Sequence, residues 1–282
     1  MLIGCDFSSS PNRRKPIVLA WGRRSKSVVV LESLERLTSL DDFGAALRRT
    51  PPWLGVFDLP FGLPRELVLA LGWPQTWEAC VRHFASLERP AIRNLFVQFC
   101  NARPVGGKFA HRACDGPAGS SPSMKWVNPP VAYMLHAGVV RMLDAGVQFP
   151  GLQGPVPLAN SNLVASAGPR VALEGYPGLL AREVLARRSY KSDDRAKQTA
   201  DRLIARKDLV TALEMGQTRL TLRLKLSHAQ RDTLVDDASG DSLDAVLCLM
   251  QAAWADAQHA QGAPRYGLPK DFDPLEGWIV TA

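Results

Sequence analysis

Three segments of the chain run apolar residues into a single acid: Leu2-Ile3-Gly4-Cys5-Asp6, Leu54-Gly55-Val56-Phe57-Asp58 and Val171-Ala172-Leu173-Glu174. Such runs mark buried strands, and a terminal acid then falls at the lip of a sheet, where open α/β folds bind ligands. A fourth acidic element, Gly240-Asp241-Ser242-Leu243-Asp244-Ala245, opens a helical pattern with Asp241 and Asp244 three residues apart on one face. Each acid also has a structural use. Asp6 can cap the turn at Ser8, Asp58 can satisfy backbone donors before Pro60, Glu174 can pair with an arginine, and Asp241 can cap its helix. Taken together, two carboxylates about 4 Å apart repel by on the order of 4 kcal/mol at an effective dielectric of about 20. Acids converging from three strand ends and a helix therefore call for protons or a hard divalent cation, magnesium or manganese, held by oxygen ligands.

The elements that must position these acids follow from the spacing of apolar residues. Residues 2–6, 16–21 and 27–31 read as strands, separated by turns at 8–15 and 22–26. Residues 40–49 carry helical spacing closed by Thr50-Pro51-Pro52, and 53–58 is again strand-like. A β-β-β-α-β opening does not fit the strict alternation of a dinucleotide-binding fold. Residues 64–168, rich in Pro, Gly and Arg, read as a long helical insertion between the fourth and fifth strands. Its helices are expected at 76–87 and 130–145, the second with Asn128 as N-cap and Gly146 as stop. The insertion covers one end of the sheet as a lid or as added packing. The fifth strand, 170–174, precedes helices at 178–188, about 193–213 and 241–260, all within a single domain of residues 1–282.

Composition narrows the class without naming a function. Thirty-four Lys and Arg against 27 Asp and Glu give a net charge of +7, and 46% hydrophobic residues can fill an ordinary core. The charge is uneven: residues 13–26 hold six basic residues and no acid, 182–207 are locally +5, and 230–282 are locally −6. No stretch approaches the ~18 to 20 apolar residues of a membrane span. The early Asp6 does not fit a secretory leader, so a cytoplasmic protein without membrane partners is expected. Five widely spaced cysteines support neither a disulfide framework nor a zinc ribbon, and Cys100 and Cys114 around His111 match no standard zinc spacing. No local Ser–His partnership is visible beside Ser8, Ser9 and Ser10.

The combination of Gly4-Cys5-Asp6-Phe7-Ser8-Ser9-Ser10-Pro11, Phe57-Asp58-Leu59-Pro60-Phe61-Gly62-Leu63-Pro64, Glu174-Gly175-Tyr176-Pro177, Tyr190-Lys191-Ser192, Asp241-Ser242-Leu243-Asp244-Ala245 and Glu276-Gly277-Trp278-Ile279 spans nearly the whole chain. It resembles the domain-of-unknown-function family numbered 429, described as predicted nucleases with a ribonuclease-H-like fold. The resemblance implies an α/β mixed sheet, β-β-β-α-β-α-β-α, with the first and fourth strands side by side. Asp6 and Asp58 would then be neighbours, with Glu174 on the next strand. The Asp-x-x-Asp pair is similar to that of Holliday-junction resolvases of the same superfamily, which carry Glu on the fourth strand where this chain carries the shorter Asp58.

On that basis the expected activity is metal-dependent hydrolysis of nucleic-acid phosphodiesters. Two ions, Mg2+ or Mn2+, would be held by Asp6, Asp58, Glu174, Asp241 and Asp244, with Asp6 bridging them and Asp6, Asp58, Glu174 and Asp244 forming the catalytic set. Ser8, Ser9, Lys191 and Arg195 are the candidate phosphate contacts, although the basic residues of this region also suit the solvated face of the long helix. Arg89, Arg93, Arg103, Lys108 and Arg112 are a second candidate set for backbone contact, and Phe96, Phe99 and Phe109 for base stacking or core. The alternatives are a phosphotransferase of the actin and sugar-kinase type, with Ser8-Ser9-Ser10 as phosphate loop, or a nucleic-acid-binding module without catalysis.

Overall fold

The computed structural model describes residues 1–49, 52–153 and 168–282. Thr50 and Pro51 of the expected helix stop, and residues 154–167 of the expected insertion, lie outside the described residues. The sheet is built around β1 (Leu2–Asp6), buried along its whole length. Leu2 packs into one core while Ile3 and Cys5 pack into another on the opposite face, as a strand covered on both sides requires. β2 (Ile17–Ser25) and β3 (Val28–Leu37) pair antiparallel in sequence with β1. Helix α1 (Leu40–Leu47), capped by Ser39, then returns the chain to β4 (Leu54–Asp58), which lies parallel to β1 on its other side.

Helices α2 (Arg65–Ala70), α3 (Trp77–Ser86), α4 (Arg89–Asn101), α5 (Asp115–Ala118) and α6 (Val131–Asp144) fill the stretch before β5 (Val171–Glu174), which pairs parallel with β4. Helices α7 (Pro177–Leu185) and α8 (Ala200–Met215) lead to a three-residue edge strand, β6 (Arg223–Lys225), and α9 (His228–Asp236) and α10 (Asp241–Ala260) follow. The result is an α/β fold on a mixed six-stranded sheet of order β5-β4-β1-β2-β3-β6. The registers pair Asp6 with Asp58 but Phe57 with Glu174, so Glu174 ends its strand one residue out of step with the other two acids. Among the described residues, no helix is long and apolar enough to cross a membrane.

One face of the sheet packs on α1 and the insertion, in a core that joins Ile3, Phe43 and Phe57 to Phe84, Phe96 and Met142. Each fully buried Phe contributes about 1.5–3 kcal/mol. The described insertion is therefore added core on this face as well as a neighbour of the sheet's acidic edge. The opposite face packs on α7, α8, α9 and α10. Helix α10 lies directly on β1 because Gly4 lacks a side chain: a Cβ there would overlap the Ala245 carbonyl and the Leu249 amide.

Several local expectations change. The hairpin reverses at Lys26-Ser27 instead of across 22–26, because Arg23 and Arg24, turn-like in composition, extend β2 toward solvent. Asn128 does not cap α6. The helix starts at Val131 behind Pro130; Pro130 has no amide to offer an Asn128 cap, and the Val131 amide donates to the Pro129 carbonyl instead. The expected long helix from 193 breaks in two. Asp194 accepts from the Ala196 amide to cap a short 3-10 turn at Arg195–Lys197, and α8 begins only at Ala200. β6 was not foreseen, since three residues with one buried side chain, Leu224, carry no readable period.

Candidate functional site

The site forms where β1, β4 and the first turn of α10 meet. Asp6 and Asp58 close adjacent parallel strands in register. The start of α10 reaches them because Gly240, at φ 79°, turns the chain into the helix and its carbonyl accepts from the Asp244 amide at 2.8 Å. The close approach at Gly4 then brings the helix backbone against β1. Asp6, Asp58 and Asp244 each offer one carboxylate oxygen, and these oxygens all lie within 4.8 Å of one another. Asp244 is fully buried and Asp6 nearly so.

Two lysines partly answer this charge. The Lys191 ammonium pairs with Asp244 Oδ2, while the buried Tyr190 hydroxyl donates to Asp244 Oδ1. Lys15 Nζ donates to Asp241 Oδ1 at 2.7 Å and to the exposed Asp193 Oδ1 at 3.0 Å. Asp241 is 2% exposed, and its Oδ2 is buried with no partner among the described residues. The balance remains negative. Burial, then the charges of Asp244 and Asp241, hold the Asp6 carboxyl well above the usual range. Burial and Asp244 push Asp58 up to about 7, with Lys191 acting against them. Burial works to lower the pKa of Lys191, but Asp244, Tyr190 and Asp6 outweigh it and lift the ammonium well above the ordinary lysine value.

Glu174, expected among the metal ligands, sits apart from this trio. Arg112 Nη1 and Nη2 donate to its two oxygens at 2.8 and 2.6 Å, and the Phe61 amide donates to Oε2 at 2.8 Å. Burial pushes the Glu174 carboxyl above the ordinary glutamate range, while Arg112 and the Phe61 amide pull against it. The guanidinium fork matches both carboxylate oxygens and leaves Glu174 an ion-pair partner of the insertion. Arg112 itself is 3% exposed, so it is no surface contact for a phosphate backbone as expected. It also donates to Asp115 Oδ1 and to the Glu276 carbonyl, joining the insertion, β5 and the C-terminal segment.

A cleft of about 620 Å³ is lined by Asp6, Asp58, Glu174 and Arg112, with Asp241 and Asp244 not among its lining residues. Ser8, Ser9, Lys15 and Lys191 line it on the sheet side, and Ser120, Ser121, Pro130 and Met134 of the insertion form the facing wall. Ser8 and Ser9 thus share the cleft with Asp6 and Asp58. Arg195 is exposed on the short turn before α8 and is not among the lining residues. Lys191 precedes the long helix instead of lying on its solvated face, and its ammonium is engaged with Asp244. Phe96 belongs to the core, with Phe99 and Phe109 packed against it, and Arg103 is held by Glu66 and stacked on Phe99. All five cysteines are free and buried.

Lys15, Arg112 and Tyr190 are the site residues that spacing missed. Lys15 and Arg112 entered only as members of basic stretches, and their partners lie 226 and 62 positions away. Tyr190 stands beside Lys191 within a quoted motif, but nothing local gives it a role. Compared with protein-family models, with curated proteins and with solved structures, the chain matches none.

Proposed function

We propose that this chain is a divalent-metal-dependent nuclease of ribonuclease-H-like type that hydrolyses nucleic-acid phosphodiesters. The observation that carries the reading is the convergence of Asp6, Asp58 and Asp244, from two strand ends and a helix start, within 4.8 Å, with Asp6 and Asp58 lining a cleft. The donor set fits Mg2+ or Mn2+: the three groups are carboxylates, with no sulfur or imidazole among them. The orphaned Asp241 Oδ2 supports a missing polar ligand, since leaving such an atom buried and unpaired costs about 1–3 kcal/mol. The side-by-side parallel pairing of β1 and β4, flanked by antiparallel β2 and β3, supports the ribonuclease-H-like reading.

A bound divalent ion supplies Lewis-acid stabilisation of a phosphoryl oxygen and a water acidified toward neutral pH. The chain does the rest. Asp6, Asp58 and Asp244 hold the ion, and Tyr190 and Lys191 fix the orientation of Asp244 from opposite oxygens. Ser8 and Ser9 offer hydroxyls to the phosphate, and the insertion wall limits bulk water at the reacting centre. Arg13 and Arg14 are exposed on the loop that continues from Ser8 and Ser9, which favours a polyanionic substrate, whereas Arg23 and Arg24 lie at the far end of β2.

The test is manganese- or magnesium-dependent cleavage of single-stranded, duplex and branched nucleic acids by the wild type and by Asp6→Asn. Cleavage by the wild type that is lost with the substitution and in excess chelator is expected. Cleavage that survives either treatment overturns the mechanism, and thermal stabilisation by ATP without cleavage moves the reading to a phosphotransferase.

A further inference from the structure

Resting on the metal-dependent reading, we infer that the centre takes one divalent cation and that the Lys15 ammonium stands in the position a second would occupy. Three carboxylates define one ion position, shared by Asp6, Asp58 and Asp244. The other two acids that could complete a second position already face a cation, Asp241 through Oδ1 alone, its Oδ2 having no partner among the described residues. Glu174 is held by the Arg112 fork, and Asp241 accepts from Lys15 at 2.7 Å. Lys15 Nζ also meets Asp193 Oδ1 at 3.0 Å, and the charge of Asp6 acts on it as well. A cation is therefore present among the carboxylates beside the trio, and it is supplied by the chain.

The lysine is delivered by a built loop. Asn12 Oδ1 accepts from the amides of Arg14 and Lys15 at 2.8 and 3.1 Å, and the Asn12 amide donates to the Lys15 carbonyl at 3.1 Å. This closed turn projects the side chain back over the end of β1. The charge balance points the same way. Asp6, Asp58, Asp241 and Asp244 face Lys15 and Lys191, with the exposed Asp193 left to solvent. That leaves a deficit of two charges, which one divalent ion closes. A second would leave a largely buried group with excess positive charge, a costly arrangement in a low dielectric.

The experiment is calorimetric titration of the full chain with Mn2+, paired with electron paramagnetic resonance of the loaded protein. The wild type is expected to bind one ion. Lys15→Met, which removes the cation from Asp241 Oδ1 and so leaves both of its oxygens open, is expected to bind two and to show spin coupling between neighbouring manganese ions. Lys15→Arg, which keeps the charge, is expected to bind one. Circular dichroism checks that each variant is folded; Lys15 sits in a solvent-facing loop with its side chain 42% exposed. Two ions in the wild type, or one in all three proteins, overturns the inference. No binding in any of them overturns the metal-dependent reading itself, a result distinct from a stoichiometry of two.

Discussion

Two groups of buried carboxylates lie side by side on one sheet edge and are balanced in opposite ways. At the end of β5, Glu174 and the nearby Asp115 share the Arg112 guanidinium, and every oxygen facing it has a donor. One strand over, Asp6, Asp58 and Asp244 crowd within 4.8 Å, with Lys191 the one ammonium in direct contact with the trio among the described residues. Both groups reach the same cleft, but the first carries its own guanidinium while the second is short of positive charge. Burial of acids alone therefore does not mark a ligand site. What distinguishes the two is whether the chain supplies a cation with enough donors to satisfy them.

The largest effect that could break this contrast is loss of turnover. Asp6→Asn is expected to lower cleavage by about 10⁴-fold, about 5 kcal/mol at ~1.4 kcal/mol per tenfold. The same change is expected to raise the melting temperature of the metal-free protein, because it removes an acid that folding must either protonate or bury beside like charges. A fall in metal-free stability would erase the distinction between the two groups.

At the other end, Arg112→Met is expected to cost about 3–5 kcal/mol of stability by denaturant titration, since it strands Glu174 and Asp115 without their cation. Glu174→Gln should leave manganese stoichiometry and affinity unchanged, and a lost ion would return Glu174 to the ligand set.

Protonation sharpens the comparison further. Asp237, just before α10, is an acid with donors: burial opposes its ionisation, but Ser239, Ser242 and Arg36 pull the carboxyl from 3.8 down to about 2. Its contribution is present above the unfolded value and is lost as the pH falls through about 2. Asp237→Asn is expected to cost about 2 kcal/mol at neutral pH, from ~1.4 kcal/mol per pKa unit, and less in acid.

Asp58 runs the other way. Raised from 3.8 to about 7, it keeps its proton in the folded chain after the unfolded chain has lost it, so metal-free stability falls as pH rises through that window. Metal must displace that proton. The smallest predicted effect is therefore a manganese-induced rise in melting temperature that is slight at pH 5 and grows by pH 8. A rise independent of pH would place the ion away from Asp58.

How much of this was legible depends on how local each cause is. Apolar runs ending in acids placed β1, β4 and β5 with their terminal Asp6, Asp58 and Glu174, because alternation onto two buried faces leaves a mark within five residues. The Asp241–Ala260 helix and the shared face of Asp241 and Asp244 were likewise local. The structural use open to Glu174, an ion pair with an arginine, is the one realised, but Arg112 could not be singled out from the arginines of its segment. The long helix expected from about 193 starts instead at Ala200, because the break at Gln198 and Thr199 depends on a cap at Asp194 that competes with a helical pattern, and Lys191 lies ahead of it, paired with Asp244.

The amino-acid sequence by itself determined which acids end strands, which pair opens the last helix, and that a long insertion parts the fourth strand from the fifth. Only the tertiary structure decided which of those acids meet. Parallel pairing put Asp58 beside Asp6, and a glycine without a side chain let α10 settle on β1 and deliver Asp244. It also decided which cation answers each acid: Arg112 for Glu174, Lys15 for Asp241 and Lys191 for Asp244. The physical reason is range. Strand and helix patterns are set by near neighbours, whereas charge compensation in a buried site is set by distances of a few ångströms between groups far apart in the chain.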